Sequence, residues 1–252
     1  MAGLEFSLPS LVAALIFAGV YLASGWLGSS AAGERFWARR RYLSAAAGIS
    51  VAYIFVDVLP ELELQRQVVV NAAADAQLLF AEQRIYILAL LSFVVMYGLE
   101  HMVLVQRESR RDTVAAGERD AVYWLQIAGY AAYSALIGYL LVERAERGTL
   151  ALAVYTFALA VHFLIVDHAL AEEHGRAYTT RGRALLAASV IAGWLIAVLT
   201  PLSEVLVARL FAVLAGGVVI TSLRSELPDD REGRFWPFCL GAVIFAVFLV
   251  LA

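Results

Sequence analysis

Apolar residues in this chain come in long unbroken runs, with polar residues gathered in the segments between them. Eight runs approach the ~20 residues needed to cross a bilayer: Phe6–Leu27, Tyr42–Leu59, Ile85–Val105, Ala121–Val142, Leu150–Ala171, Ala184–Leu199, Ser203–Leu223 and Phe235–Leu251. Lipid offers no partner to a free amide group, so a spanning run must close its hydrogen bonds internally as a helix. Barrel strands would alternate polar and apolar residues, and these runs do not. The pattern predicts an all-α integral membrane protein of eight transmembrane helices, with residues 1–252 as one transmembrane domain. The sixth run is short and stops at Thr200-Pro201, after which the seventh begins at once.

Arginine positions then orient the spans. With the N-terminus outside, the inner segments hold Arg35, Arg39, Arg40, Arg41, Arg107, Arg110, Arg111, Arg119, Arg176, Arg181, Arg183, Arg224, Arg231 and Arg234. The outer segments hold only Arg66, Arg84, Arg144 and Arg147, and Arg209 falls inside the seventh run. This is a strong positive-inside bias, and it predicts both termini on the outer, periplasmic side.

One phrase is written twice. Ala47-Gly48, Val51 and Leu59-Pro60-Glu61 return at identical spacing as Ala215-Gly216, Val219 and Leu227-Pro228-Asp229. The second span runs inside to outside and the seventh runs outside to inside, so the copies are antiparallel. That is the signature of an inverted repeat, a common device of secondary transporters. Spans one to three and six to eight form the two copies around spans four and five, a 3+2+3 arrangement. The plainer alternative is that Leu-Pro-acid is a helix ending that recurs because proline follows many helix stops.

Composition agrees with a membrane location. The chain is 62% hydrophobic and 16% charged, where a soluble domain is about half apolar and about a quarter charged. Every basic residue is arginine, a usage that fits a GC-rich genome and hence a bacterial inner membrane. A net charge of -3 leaves no basic excess for nucleic acid. Cys239 is the single cysteine and lies in an apolar run, which excludes a disulfide scaffold or a thiolate metal site. The start, Met1-Ala2-Gly3-Leu4-Glu5, lacks the basic region of a cleavable signal, so the first run reads as a true span. The lipid bilayer is the expected partner, with a homodimer or a membrane complex left open.

In several places the chain resembles the ZIP family of divalent-metal transporters. The second span ends Phe55-Val56-Asp57-Val58-Leu59-Pro60-Glu61, similar to that family's His-Leu-Leu-Pro-Glu, with Asp57 near the histidine position. Leu99-Glu100-His101 in the third span looks like the family's Leu-Glu-Lys, and Ala215-Gly216-Gly217 and Gly241 fit its last spans. The resemblance implies eight spans, a 3+2+3 inverted repeat and alternating-access transport of Zn, Fe or Mn, with the metal as cargo and no resident cofactor. It departs where the family builds its metal site. The His-Asn-x-x-Asp-Gly of the fourth span is here Gly129-Tyr130-Ala131-Ala132-Tyr133-Ser134, without a ligand. The family's His-Glu-x-x-His-Glu keeps only His162 and, at its last position, Asp167; Phe163 and Val166 replace the others.

Ionisable groups inside a membrane are costly and are functional candidates by default. The candidate metal ligands are His162, Asp167, His168, Glu172 and Asp57. His162 lies near mid-span, either lining a pathway or bonded to a neighbouring helix. Asp167 lies about 140° around the axis from it, so one helix cannot wrap both around an ion. His168 and Glu172 share a face at i, i+4, and imidazole with carboxylate suits Zn, Fe or Mn; the same stretch also reads as a solvated helix end. Asp57 is either an outer-vestibule ligand or the partner of Arg209, with the ion pair favoured because a fixed arginine disfavours a cation pathway. Glu100 and His101 are expected to form a surface network beside Arg107. Gln126, Tyr130, Tyr133 and Ser134 make one side of the fourth span polar, for a neutral solute or for packing. The outer segment Leu62–Gln83 reads as a loop with a short amphipathic piece. Nothing resembles a phosphate loop, a helical His-Glu-x-x-His or an activated nucleophile, so an enzyme is not expected. A different class remains beside transport: a ZIP-like scaffold that has lost its metal site and serves as a structural or regulatory membrane subunit.

Overall fold

The computed structural model describes residues 2–29, 40–73, 82–108, 116–200, 202–226 and 235–251. Among these residues every regular element is helical: α1 (Ala2–Ser29), α2 (Arg40–Tyr53), α3 (Leu59–Ala73), α4 (Arg84–Glu108), α5 (Ala116–Glu146), α6 (Thr149–His174), α7 (Arg183–Leu199), α8 (Glu204–Thr221) and α9 (Phe235–Leu251). Wider π-turns extend three of them. Ile54–Val58 joins α2 to α3, Tyr178–Gly182 leads into α7, and Ser222–Glu226 prolongs α8. Among the described residues six stretches are long and apolar enough to cross a bilayer: Tyr42–Ala72, Arg84–Gln106, Ala121–Glu146, Thr149–His174, Tyr178–Leu199 and Glu204–Arg224. Shorter apolar helices, Leu8–Ser24 and Phe235–Leu251, stand at the first and last predicted spans. The chain is an all-α protein of membrane character.

The second span does not end at Leu59-Pro60-Glu61 as its sequence suggests. Pro60 lacks an N–H, and its ring crowds the carbonyl four residues back. The backbone widens in response: Leu59 N–H reaches the Ile54 carbonyl, an i→i+5 bond. Regular α-turns then continue to Ala73. The segment expected to be a loop therefore begins as a helix, with Leu62, Gln65 and Val69 buried and with α3 lying against α8. The π-turn Ser222–Glu226 stands at the same distance after Gly216 as Ile54–Val58 does after Gly48. Leu227-Pro228-Asp229, the end of the second copy, lies outside the described residues. The sixth span gains length at its start, where Tyr178–Gly182 and Arg183 precede the apolar run, and it ends at Leu199. The chain restarts as a helix at Glu204, after Ser203.

Burial sorts the helices into centre and rim. The most apolar window is 56% buried in Thr149–His174 and 61% in Glu204–Arg224, against 17% in Arg84–Gln106. Thus α6 and α8 form the centre, while α4 turns Leu90, Leu91, Val94 and Val95 outward. Helix α2 packs on α9, and α8 packs on α4. Both contacts centre on a glycine of the twin phrase. Gly48 faces the Phe238 carbonyl and Gly216 faces the Ala89 carbonyl, and a Cβ at either position would overlap backbone. Gly241 meets Ala45 in the first contact, while in the second Ser92 donates to the Val213 carbonyl at 2.6 Å. Gly193 likewise meets Ala135 where α7 crosses α5. Without Cβ atoms the backbones approach closely enough for dispersion contacts to hold helices that lipid does not drive together. Phe17, Tyr21 and Phe163, with ring centroids 5.1 and 4.8 Å apart, fasten α1 to α6.

Candidate functional site

Tyr155, His162 and Glu173 lie within about 20° of one line along α6, because a helix turns roughly 100° per residue. His162, 2% exposed, sits in the middle of this line. Its Nε2 is 3.3 Å from the Tyr133 hydroxyl on α5 and 3.4 Å from Thr221 Oγ1 on α8. The Thr221 hydroxyl also donates to the Gly217 carbonyl at 2.8 Å. His162 is thus held by both neighbouring helices at the centre of the bundle.

Towards the Thr149 end of α6 the line reaches a cluster of charges. Arg144 of α5 lies over the rings of Tyr155 and Phe211, 5.3 and 5.6 Å from their centroids. Its Nη2 donates to Asp57 Oδ2 at 3.4 Å, and its Nη1 lies 3.8 Å from Glu61. Arg147 is bound more closely. Its Nη2 donates to Glu61 Oε1 at 2.8 Å, its Nη1 bonds Glu61 Oε2, and its Nε donates to Glu143 at 2.7 Å. Burial opposes the charge of Arg147, but the Glu61 hydrogen bond and the carboxylate charges outweigh it and raise its pKa. The expected pairing of Asp57 with Arg209 is corrected here. Buried Ala208, Phe211, Ala212 and Ala215 define the inward face of α8, and Arg209 is exposed on another. Arg144 arrives from α5 instead.

A second polar cluster occupies the His174 end. Tyr130 donates to Glu100 Oε1, and Arg224 Nε lies 3.5 Å from Glu100 Oε2. The Arg224 guanidinium stands 5.4 Å from the Tyr97 ring centroid. Gln126 Nε2 donates to Glu173 at 3.0 Å, and its Oε1 meets His174 Nε2. Glu100 and His101 do not join one another in the expected surface network. Glu100 turns into the bundle, His101 stacks on Tyr97 with centroids 5.9 Å apart, and the Arg107 side chain is not among those described. Each of two π-turns therefore carries one member of an ion pair: Asp57 at one end, Arg224 at the other.

The remaining candidate ligands lie apart from the line. Asp167 is 0% exposed and accepts from Arg183 Nε at 2.9 Å and Nη2 at 2.8 Å, from Tyr178 at 2.6 Å and from Ser24 at 2.5 Å. Its oxygens are committed to pinning α1 and α7 to α6. His168 Nε2 is 3.3 Å from Glu172 Oε1, with Glu172 72% exposed, so the pair forms at the surface. The structure brings His168 and Glu172 together and leaves His162, Asp167 and Asp57 in three other places. Among the described residues no three His, Cys, Asp or Glu side chains converge as a metal site would require. Sequence reasoning missed Arg144, Arg183, Arg224 and Tyr178 as partners. A signal existed for the three arginines, which adjoin apolar runs closely enough to reach back into the bundle. Against this geometry, no protein-family model, no curated protein and no solved structure matches the chain.

Proposed function

We propose that the protein is a secondary transporter on a ZIP-like scaffold, moving a small solute by alternating access past His162. The carrying observation is the placement of an ion pair at a π-turn on either side of the buried histidine: Asp57–Arg144 towards one surface, Glu100–Arg224 towards the other. Two separable closures around one central polar group are what alternating access requires. The twin phrase supports the same reading, since Gly48 and Gly216 each carry a close helix contact, α2 on α9 and α8 on α4, and each precedes a π-turn at the same distance, as an inverted repeat would require. π-turns interrupt regular bonding and mark places where a helix can shift.

For a divalent metal as cargo, His162 would be the mid-path ligand, with Asp57 at the outer mouth and His168 and Glu172 at the inner. One observation favours a second reading, a membrane subunit without transport. Arg144 and Arg183 already neutralise Asp57 and Asp167, and fixed arginines repel a cation. Uptake of Zn, Fe, Mn or Cd into proteoliposomes that is lost in His162→Ala would establish the metal cargo. Co-purification of the native chain in a stoichiometric complex, without flux, would favour the subunit.

Alternating access is tested through Thr221→Cys, beside His162, in a Cys239→Ala background. Asp57→Asn should raise labelling of that cysteine by an impermeant reagent from the outer side by about tenfold, the effect of about 1.4 kcal/mol on a closing equilibrium. Glu100→Gln should do the same from the inner side. A cysteine unreactive from both sides in every background would sink the transport reading.

A further inference from the structure

Arg144 is a buried guanidinium with too few acceptors. It is 5% exposed, and its hydrogen bonding among the described residues amounts to the 3.4 Å contact from Nη2 to Asp57. Its Nε is buried without a partner. A guanidinium has five N–H donors and no acceptor, and a buried donor left unpaired bears its full desolvation cost. Tyr155, 1% exposed and with its ring centroid 5.3 Å from this guanidinium, also has an unpartnered hydroxyl. Ser50 Oγ is unpartnered too, one helical turn from Tyr53, which itself stands beside Asp57, Arg144 and Tyr155. Unpaired groups on Arg144 and Tyr155, whose ring and guanidinium are in contact, call for a ligand or ordered water.

The same molecule shows what a filled arginine edge looks like. Arg183 presents Nε and Nη2 side by side to the two oxygens of Asp167, at 2.9 and 2.8 Å. Arg144 has the same edge half occupied, with Asp57 distant on Nη2 and nothing on Nε. That edge matches a planar pair of oxygens.

We infer that the Nε–Nη2 edge of Arg144, with the Tyr155 hydroxyl beside it, is a binding site for a small carboxylate anion that competes with Asp57. The anion takes both N–H groups, Tyr155 donates a further hydrogen bond, and Asp57 is released. The rings of Tyr155 and Phe211 bound the site and restrict it to compact ligands. Binding at this edge goes beyond the transport reading and does not require it, since it is measured without flux.

The test uses the purified full-length chain in detergent, titrated with sodium acetate at ionic strength held constant with sodium chloride. Thermal unfolding midpoints are read across the titration. Wild type should show a saturable rise specific to acetate, and Asp57→Asn should reach half-saturation at an acetate concentration lower by about tenfold. Tyr155→Phe, which keeps the ring over Arg144, should raise that concentration several-fold, and Arg144→Lys should abolish saturation. If Arg144→Lys fails to fold, the Asp57→Asn and Tyr155→Phe comparisons still decide. Identical responses to acetate and chloride in both wild type and Asp57→Asn would overturn the assignment, as would an acetate response that Asp57→Asn leaves unchanged or weakens.

Discussion

Asp167 is fully buried and accepts from Arg183, Tyr178 and Ser24, so its charge rests on one guanidinium and two hydroxyls. Removing one member of such a pair leaves an uncompensated charge in a medium that cannot solvate it. Arg183→Met should therefore lower stability by about 3–5 kcal/mol. Adding Asp167→Asn to that variant should recover most of the loss, because the lone charge is gone. Unfolding in detergent of the single and double variants measures this, and a double variant no better than Arg183→Met would contradict the pairing. The same residue shows what sequence hides. Asp167 and His162 are visible as polar groups in an apolar run, and their angular separation follows from the helical repeat. Their partners do not, because Tyr133, Thr221 and Arg183 arrive on other helices whose rotation depends on the whole bundle. Asp57 follows the same rule: Arg209 lies on the helix that carries the second copy of the twin phrase, but off its inward face.

Helices were more legible than sites, since a run of apolar residues this long has one way to satisfy its backbone in lipid. The errors fall where a local rule met tertiary packing. Pro60 reads as a stop because proline removes a hydrogen bond, yet a π-turn absorbs the loss and α3 continues against α8. At Gly48, Gly216, Gly193 and Gly241 a neighbouring carbonyl occupies the space a Cβ would need. This makes a graded prediction for one substitution at different places. Gly48→Ala and Gly216→Ala should each destabilise by about 1–3 kcal/mol, because backbone cannot move aside as a side chain can. Gly19→Ala and Gly98→Ala, with nothing within 4 Å of the added carbon, should be neutral or stabilising by up to about 1 kcal/mol from helix propensity. Thermal unfolding of the set distinguishes packing from propensity. Equal effects at all four positions would remove the glycine contacts from the account of how α2 meets α9 and α8 meets α4.

At the scale of the whole molecule, the arginine distribution and the helix contacts bear on one question, which way the bundle lies in the membrane. Arginines concentrate in the segments after the first, third, fifth and seventh spans, and basic segments resist translocation. On that expectation the Asp57–Arg144 cluster faces outward, and the Glu100–Arg224 cluster faces the interior. Exposed residues near the two ends make this measurable in intact cells. Glu82 precedes α4 and Glu146 ends α5, both exposed on the predicted outer side, whereas Arg176 follows α6, exposed on the predicted inner side. In a Cys239→Ala background, Glu82→Cys and Glu146→Cys should react with an impermeant maleimide on whole cells. Arg176→Cys should react only after the membrane is opened. The reverse pattern would invert the bundle and exchange the two clusters, making Glu100 and Arg224 the outer closure. Labelling of all three in intact cells would be harder to accommodate, because it would place both ends of α6 on one side and remove Thr149–His174 as a crossing.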